Sequence, residues 1–404
     1  MTRQDIAETA FRVWGRNFYL DTSLSFLARE LGVSKTAIYR HFRDKQALKD
    51  TMYELFFDHY ADYIREGFNK ASAGEDSAES LAAMIRVQTE YFARNPWKFI
   101  FCLAEVYNDR EPENIRDELL KRGIYVLRHR YIARYSAGFP SFAQMITASL
   151  IFWVAHFHKN GRKDVSTLDE NPGEDEIKAL VAFVEKTVFH GLGLERERTE
   201  HLDFDSLEAS AASRDSEHVE NGILFKAVAE AVAEAGPWNA SMDMVARRSG
   251  LSKSSLYGHF KNKQDMLRRL FVTEFTHIAR FANEGIGLSA VPEEQLYLGI
   301  FSIASYLRLR PEILTALSWI RTRRLNLGRH ASYRPFRVFE TIKLVPCRDW
   351  EKVPAEIMSH WIMFLIVNIL MRPPEGANFA DFPNESIRVL YRFVTLGVEG
   401  FQIV

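Results

Sequence analysis

Two short stretches of the chain carry the same hydrogen-bond donors and cations at the same spacing. Residues 32–46 read GVSKTAIYRHFRDKQ, and residues 250–264 read GLSKSSLYGHFKNKQ. Clustered Ser, Thr, Tyr, His, Lys and Arg side chains can donate to phosphate oxygens and, from a helix, to the edges of bases. The two stretches lie 218 residues apart, and ten of the nineteen positions in 28–46 are identical between the copies. The chain is therefore predicted to contain one module twice.

Three short helices are predicted to position each set of donors. Apolar residues recur with helical spacing through 3–17 in the first copy and through 221–235 in the second. Serines precede the later two helices of each copy, where their side chains can accept hydrogen bonds from free backbone N–H groups. These N-cap residues are Ser23, Ser34, Ser241 and Ser252. Gly32 and Gly250 fall between the second and third helices, where a tight turn requires positive φ.

This order of elements is the helix-turn-helix arrangement. On the third helix, Ile38 and Phe42 are predicted to face the core, as are Leu256 and Phe260 in the second copy. The opposite face then presents the donors to solvent.

Basic charge is concentrated where the repeated module lies. The whole chain has a net charge of −1, but residues 1–50 hold nine Lys and Arg against six Asp and Glu. Residues 221–269 hold eight against four, whereas residues 195–220 hold three against nine. The basic segments match the charge expected of a phosphate-binding surface. The acidic segment, poor in large apolar residues, is predicted to be an exposed linker that can include some helix.

Length and composition favour a helical protein of at least two domains. With 404 residues the chain exceeds the size of a single core, and 47% of its residues are hydrophobic. Cys102 and Cys347 are isolated, which favours a reducing compartment without disulfides. The N-terminus lacks the apolar core of a signal peptide, and the longest apolar run, 362–371, is too short to span a membrane. We therefore expect a cytoplasmic protein.

Each copy of the module is followed by a long region of helical period that ends in two apolar helices. The predicted pairs are 142–159 with 176–192 in the first copy, and 354–371 with 384–401 in the second. Paired apolar helices that close each repeat are what a four-helix seam requires.

The repeated pattern Gly-x-Ser-x-x-x-apolar-Tyr-x-His-Phe-x-x-Lys resembles the TetR family of bacterial transcription regulators. The resemblance implies an all-α fold with two TetR-like units. Each unit would have an N-terminal three-helix helix-turn-helix domain and a helical-bundle effector and dimerisation domain. Because such proteins usually pair as homodimers, the tandem form implies an intramolecular pseudo-dimer. The implied domains are the first DNA-binding domain at 1–50, its effector domain at 51–194, a linker at 195–220, the second DNA-binding domain at 221–268 and its effector domain at 269–404.

The resemblance also assigns DNA-contacting roles to the donors. Tyr39, His41 and Lys45, with Tyr257, His259 and Lys263, match positions that contact phosphates. Lys35, Thr36 and Arg40, with Lys253 and Ser254, match positions that read base edges. Ser23 and Ser241 would both cap helices and contact phosphates, the alternative being the cap alone, and the capping Ser34 and Ser252 are also assigned to the DNA-binding surface. An alternative is that the two histidines only pack against the helix end.

The two copies differ at one base-reading position, because Gly258 stands where the first copy has Arg40. One half of the protein can therefore make a contact that the other half cannot. We expect an imperfect palindrome with two unequal half-sites.

The first copy departs from the family at the turn after its first helix. The second copy has the expected glycine in Gly236-Pro237-Trp238, but the first has Phe18 at that position. We expect Asn17 to supply the left-handed conformation instead.

Aromatic residues crowd the effector regions, and the resemblance implies a pocket there for a hydrophobic or aromatic molecule. The candidate residues are Trp97, Phe101, Tyr107, Trp153, Phe157, Tyr306, Trp319, Trp361 and Phe364. The alternative for each is ordinary packing within a helical core.

The leading hypothesis is a transcription regulator that binds double-stranded operator DNA, acts as a repressor and is released by a small molecule. Alternatives are a ligand-independent regulator or activator, and a ligand-sequestering or protein-interaction module that does not act on DNA. No phosphate loop, metal-ligand spacing or nucleophile motif supports an enzyme or a cofactor. A monomeric pseudo-dimer is expected, although two chains can still pair.

Overall fold

The helical spacing of apolar residues in the sequence corresponds to helices in the structure. This computed structural model describes residues 2–17, 23–70, 78–106, 113–124, 141–159, 172–212, 223–323, 336–344, 346, 350, 353–371 and 382–401. Regular structure in these residues is helical throughout, without a strand, which confirms the all-α prediction. None of the described helices is long and apolar enough to cross a membrane.

From the N-terminus, the described α-helices begin with α1 (Arg3–Asn17), α2 (Leu24–Glu30), α3 (Lys35–His41), α4 (Lys45–Lys70), α5 (Ala78–Arg94), α6 (Pro96–Phe101), α7 (Glu113–Lys121), α8 (Ser141–Lys159) and α9 (Glu174–His190). Those that follow are α10 (Arg196–Glu200), α11 (Phe204–Ala212), α12 (Ile223–Asn239), α13 (Met242–Ser249), α14 (Lys253–His259), α15 (Lys263–Ile286), α16 (Pro292–Arg308), α17 (Pro311–Arg323), α18 (Ala355–Leu370) and α19 (Asn384–Leu396). A π-helical turn follows α6 at Cys102–Val106.

The chain forms two compact units whose limits differ from the boundaries predicted from the sequence. The first unit contains 1–134, 153–185 and 322–326, and the second contains 135–152, 186–321 and 327–404. Helices α8 and α9 each contribute residues to both units. The divergence arises because the start of α8 and the end of α9 pack with the late helices of the second repeat.

The start of α8 contacts α18 in the core of the second unit. The indole Nε1 of Trp361 donates a buried hydrogen bond of 3.1 Å to the hydroxyl of Ser149. One turn further along each helix, the rings of Phe152 and Phe364 lie 5.7 Å apart. These contacts join one late helix of each repeat.

The ends of α9 and α19 cross at two glycines that occupy equivalent positions, one residue after the helix in each repeat. Gly191 has a φ of 57° and Gly397 a φ of 62°. A Cβ at Gly191 would lie 2.5 Å from the Val394 carbonyl oxygen, and one at Gly397 would overlap the backbone of Phe189 and His190. The crossing therefore needs glycine for both its conformation and its close approach.

Backbone hydrogen bonds hold the two helix ends together. The Leu192 N–H donates to the Val394 carbonyl at 2.7 Å, and the Leu194 N–H donates to the Thr395 carbonyl at 3.2 Å. Equivalent segments of the two repeats thus contact each other, as they do in a two-fold symmetric interface. Helices α9 and α19 thus meet at their ends, and the four-helix seam as a whole stays a prediction.

The described part of the acidic segment after the crossing, 195–212, is less exposed than the sequence predicts. Within its described part it forms α10 and α11, and Phe204, Glu208 and Ala211 are buried against the second unit. The Phe204 ring lies 4.6 Å from that of Tyr297 on α16. The sequence did not indicate this burial, because Phe204 and Glu208 have partners far away in the sequence.

Glu208 is the centre of the polar contacts that fix α11. Its Oε1 accepts hydrogen bonds from the Tyr297 hydroxyl at 2.5 Å and from Arg388 Nε at 2.7 Å. Its Oε2 accepts from the Asn384 amide at 2.6 Å. Burial acts to raise the pKa of Glu208, but these donors outweigh it and lower the pKa below its usual value.

Replacement of Gly397 by Ala is expected to destabilise the second unit more than replacement of Gly250 by Ala. Gly250 is left-handed, with φ 70° and ψ 12°, and alanine there costs about 1–2 kcal/mol. Gly397, with φ 62° and ψ −151°, lies in a region that is essentially restricted to glycine, so its conformational cost is larger. Only the new Cβ at position 397 also meets backbone, since nothing lies within 4 Å of a Cβ at Gly250. Thermal unfolding followed by circular dichroism should show a midpoint shift at least twice as large for G397A. Equal shifts would contradict the close crossing.

Replacement of Glu208 by Gln is expected to make the free energy of unfolding depend less on pH in the acidic range. Because the folded state lowers the pKa of Glu208, its charge stabilises the protein above the unfolded value of about 4.3. That contribution is lost as the pH falls through the lower folded value. Urea unfolding between pH 7 and pH 3 should therefore show wild type and E208Q converging at low pH. An E200Q control, which alters a more exposed pair with Arg196, should keep a constant offset.

Candidate nucleic-acid interface

Serine side chains begin the second and third helices of both modules, as predicted. Module 1 comprises α1 to α3, and module 2 comprises α12 to α14. The four hydroxyls accept backbone N–H bonds of 3.1 to 3.2 Å: Ser23 from Phe26, Ser34 from Ala37, Ser241 from Met244 and Ser252 from Ser255. The capping role of the serines is confirmed, and it fixes where α3 and α14 begin.

Gly32 and Gly250 make the turn before the third helix of each module. Their φ angles are 66° and 70°, and nothing lies within 4 Å of a Cβ built on either residue. Glycine is therefore needed at both positions for its backbone conformation, as the sequence predicted, and not because a side chain would lack space.

One face of α3 and α14 holds each helix on its module, which leaves the other face free. Ile38 and Leu256 are fully buried, and Phe42 and Phe260 close the helix ends. On the other face Tyr39 and Tyr257 are 45% and 51% exposed, which is unusual for large aromatic side chains. The remaining side chains on this face, which are also exposed, are Lys35, Thr36 and Arg40 in module 1 and Lys253 and Ser254 in module 2.

The predicted phosphate-contacting residues at the far end of each helix have mixed exposure. His41 and His259 are the last residues of α3 and α14; the first is half-buried and the second exposed. Lys45 and Lys263, which begin α4 and α15, are half-buried. Burial lowers the pKa of Lys263.

The exposed faces of α3 and α14 differ where the sequence indicated. Arg40 is an exposed side chain on α3, whereas the equivalent Gly258 on α14 has open space around it, with nothing within 4 Å of an added Cβ. An arginine could therefore be accommodated at position 258 without a clash.

The turn after the first helix differs between the modules. Gly236 has a φ of 74° and kinks α12 before its last turn. Asn17 is the last residue of α1, and Phe18 lies outside the described residues. The expected left-handed Asn17 stays a prediction.

Two of the predicted pocket residues instead join α6 to module 1. A Cβ on Gly15 would overlap the ring of Trp97, and the rings of Phe11 and Phe101 meet edge to face at 5.0 Å. Lys98 on α6 extends this junction, because its ammonium lies 3.1 Å from a carboxylate oxygen of Glu8 on α1. This α1–α6 junction connects the DNA-binding module to the first effector region.

The other predicted pocket residues that the structure describes lie in separate packing contacts. Trp153 packs edge to face on Phe183, with ring centroids 4.8 Å apart, and Phe157 lies against His158. Trp361 and Phe364 belong to the contact with α8 described above. Tyr107 and the side chain of Trp319 lie outside the described residues. For the described aromatics, core packing accounts for their positions.

Tyr306 belongs to a buried ionic cluster in the second unit. Its hydroxyl donates to Glu274 at 2.7 Å and accepts from Arg310 at 2.7 Å. Arg310 also lies 3.2 Å from Glu274, and these two side chains are only 2% and 1% exposed. Glu312 is a second carboxylate partner, 2.9 Å from Arg310 Nε. Burial and the Glu274 charge raise the pKa of Tyr306, which therefore stays protonated and can donate.

A groove that the sequence did not indicate lies along α15 in the second unit. Its volume is about 660 Å³. The lining residues are Val272, Phe275, Thr276, Ala279, Arg280, Asn283, Glu284, Phe336, Arg337 and Val338. None of the predicted aromatics that the structure describes is among them. The helical spacing of Val272, Phe275 and Ala279 was the available signal, but such spacing also describes a core-facing stripe.

Replacement of Glu274 by Ala is expected to destabilise the second unit by about 3 kcal/mol, since Arg310 would stay buried without its main carboxylate partner. The matched control is E284A. Glu284 is an exposed residue of the same helix, and its carboxylate lies 3.9 Å from Arg280 Nε. This replacement should cost less than about 1 kcal/mol. Urea unfolding of both variants measures the difference, and similar values would contradict the burial of the cluster.

The comparisons with known proteins agree with the geometry of both modules. A family model described as bacterial regulatory proteins of the tetR family matches residues 6–51 and again residues 224–270. No curated protein matches the chain. The two matched ranges cover the three helices of each module and the start of α4 and α15. The chain thus carries two DNA-binding modules that are each similar to the tetR family of bacterial regulatory proteins, in one polypeptide.

Proposed function

We propose that the chain is a repressor that binds an imperfect palindromic operator with one module on each half-site and is released by a small hydrophobic or aromatic ligand. The observation that carries the proposal is the pair of capped helices, α3 and α14, with the same donors on their exposed faces. Both halves of the operator are then bound by a single chain, so operator affinity does not depend on dimerisation.

The exposed side chains divide into two groups by the contacts that they can make. Tyr39, His41 and Lys45 stand at phosphate-contacting positions, and Tyr257, His259 and Lys263 do so in module 2. The capping serines add hydroxyl groups near the same phosphates. Lys35, Thr36 and Arg40 read base edges in the major groove, and Lys253 and Ser254 read the second half-site. Because Gly258 has no side chain to offer, the second half-site lacks the Arg40 contact.

The α1–α6 junction supports release by a ligand. A ligand that shifts α6 must move Trp97, Lys98 and Phe101, and these residues hold α1 through Gly15, Glu8 and Phe11. Tight packing transmits such a shift, because cores repack between discrete arrangements and do not deform smoothly. The ligand lowers operator affinity only to the extent that it binds the shifted conformation more tightly.

Salt-dependent binding to a duplex selected from a random pool tests the DNA-binding part of the proposal. The logarithm of the association constant should fall linearly with the logarithm of salt concentration, by about 0.9 for each phosphate contact. Addition of hydrophobic aromatic compounds to the preformed complex tests release. If no preferred sequence is selected, the proposal of a specific operator is contradicted. If no compound dissociates the complex, the proposal of release by a ligand is contradicted.

Replacement of Arg40 by Ala is expected to weaken binding through one half-site only. Loss of a good base contact costs about 1–3 kcal/mol and relaxes specificity at that base pair. G258R is expected to create a preference at the equivalent base pair of the other half-site. Quantitative footprinting on operators with single substitutions measures both effects. R65A, an exposed arginine outside both modules, is the control, and equal loss in both half-sites for R40A would contradict the assignment.

A further inference from the structure

The lysine that begins the third helix, Lys35 on α3 and Lys253 on α14, has different surroundings in the two modules. In module 2 the Lys253 ammonium lies 2.9 Å from one carboxylate oxygen of Asp243 and 3.2 Å from the other. In module 1 the position equivalent to Asp243 is Ser25, and the Lys35 ammonium lies 5.6 Å over the ring of Tyr39. Otherwise identical lysines therefore have a carboxylate partner in one module and an aromatic one in the other.

The Lys253–Asp243 pair is well placed to compete with DNA. Both side chains are more than half exposed, so the pair lies on the surface that would meet the duplex. Hydrogen bonding to Asp243 raises the pKa of Lys253, which therefore stays charged at neutral pH. The carboxylate takes up to two of the three N–H donors of this ammonium and offsets its positive charge, so a phosphate or a guanine edge must compete with Asp243 for Lys253.

We propose that Asp243 is a specificity-determining residue that withholds Lys253 from DNA and makes module 2 the weaker of the two DNA-binding modules. The inference rests on the proposed DNA-binding function and deepens it. Together with the missing side chain at Gly258, it assigns two residues to the inequality of the half-sites. Module 1, with Ser25, Lys35 and Arg40, then provides the primary anchor on the operator.

Asp243 also lies in the first turn of α13, where a carboxylate favours the helix. A role confined to the helix would leave operator affinity and its salt dependence unchanged on substitution. DNA binding by variants therefore separates the two roles, and circular dichroism verifies that each variant is folded.

The test is a titration of the selected operator with the full-length chain at several salt concentrations. D243S, which copies module 1, should tighten binding about two- to fivefold, the strength of an exposed ion pair. Its log-salt slope should steepen by up to about 0.9, because one more cation becomes available to phosphate. The reciprocal variant S25D places a carboxylate near Lys35 and should weaken binding. Unchanged or weaker binding by D243S would overturn the proposal.

A second pair of variants shows whether Asp243 acts through Lys253. In a K253A background the change D243S should give no further gain in affinity. The same gain in that background would mean that the carboxylate repels phosphates directly, which would also overturn the proposal. Failure of the wild-type chain to bind any selected duplex is a different result, because it would refute the DNA-binding function itself.

Discussion

The contact on which the rest of the arrangement depends is the crossing of the ends of α9 and α19. Gly191 and Gly397 follow the two helices at equivalent positions, and each leaves no room for a Cβ beside the backbone of the other helix end. Two identical surfaces that contact each other are the usual basis of a homodimer. Here the two contacting segments are equivalent parts of the two repeats and belong to one chain. The crossing therefore brings the closing helices of the two repeats into contact within one polypeptide.

Local sequence was sufficient to predict the modules. The serine caps, the positive-φ glycines and the buried Ile38 and Leu256 depend on neighbours within a few residues. These features therefore follow from local propensity and from the period of the apolar residues, both of which can be seen in a single sequence. The exposed tyrosines follow from the same periodicity, because a helix that buries Ile38 must turn Tyr39 outward.

Long-range contacts could not be predicted in the same way. Trp97 and Phe101 were candidates for a ligand pocket because of their residue type, but residue type does not show whether the partner is a ligand or α1. The segment with Glu208 looked like a linker because its partners, Tyr297 and Arg388, lie 89 and 180 residues away. The cluster of Glu274, Tyr306 and Arg310 joins residues up to 36 positions apart, for the same reason. Fold class thus follows from local pattern, whereas the roles of buried polar and aromatic residues depend on tertiary packing.

The central claim is that one chain supplies both halves of the operator-binding surface. Sedimentation equilibrium of the purified chain, alone and with the selected operator duplex, tests it most directly. The account predicts a species of 46.7 kDa that binds one duplex in a one-to-one complex. A complex containing two chains per duplex would contradict it, because the pairing assigned to α9 and α19 within one chain would then be needed between chains.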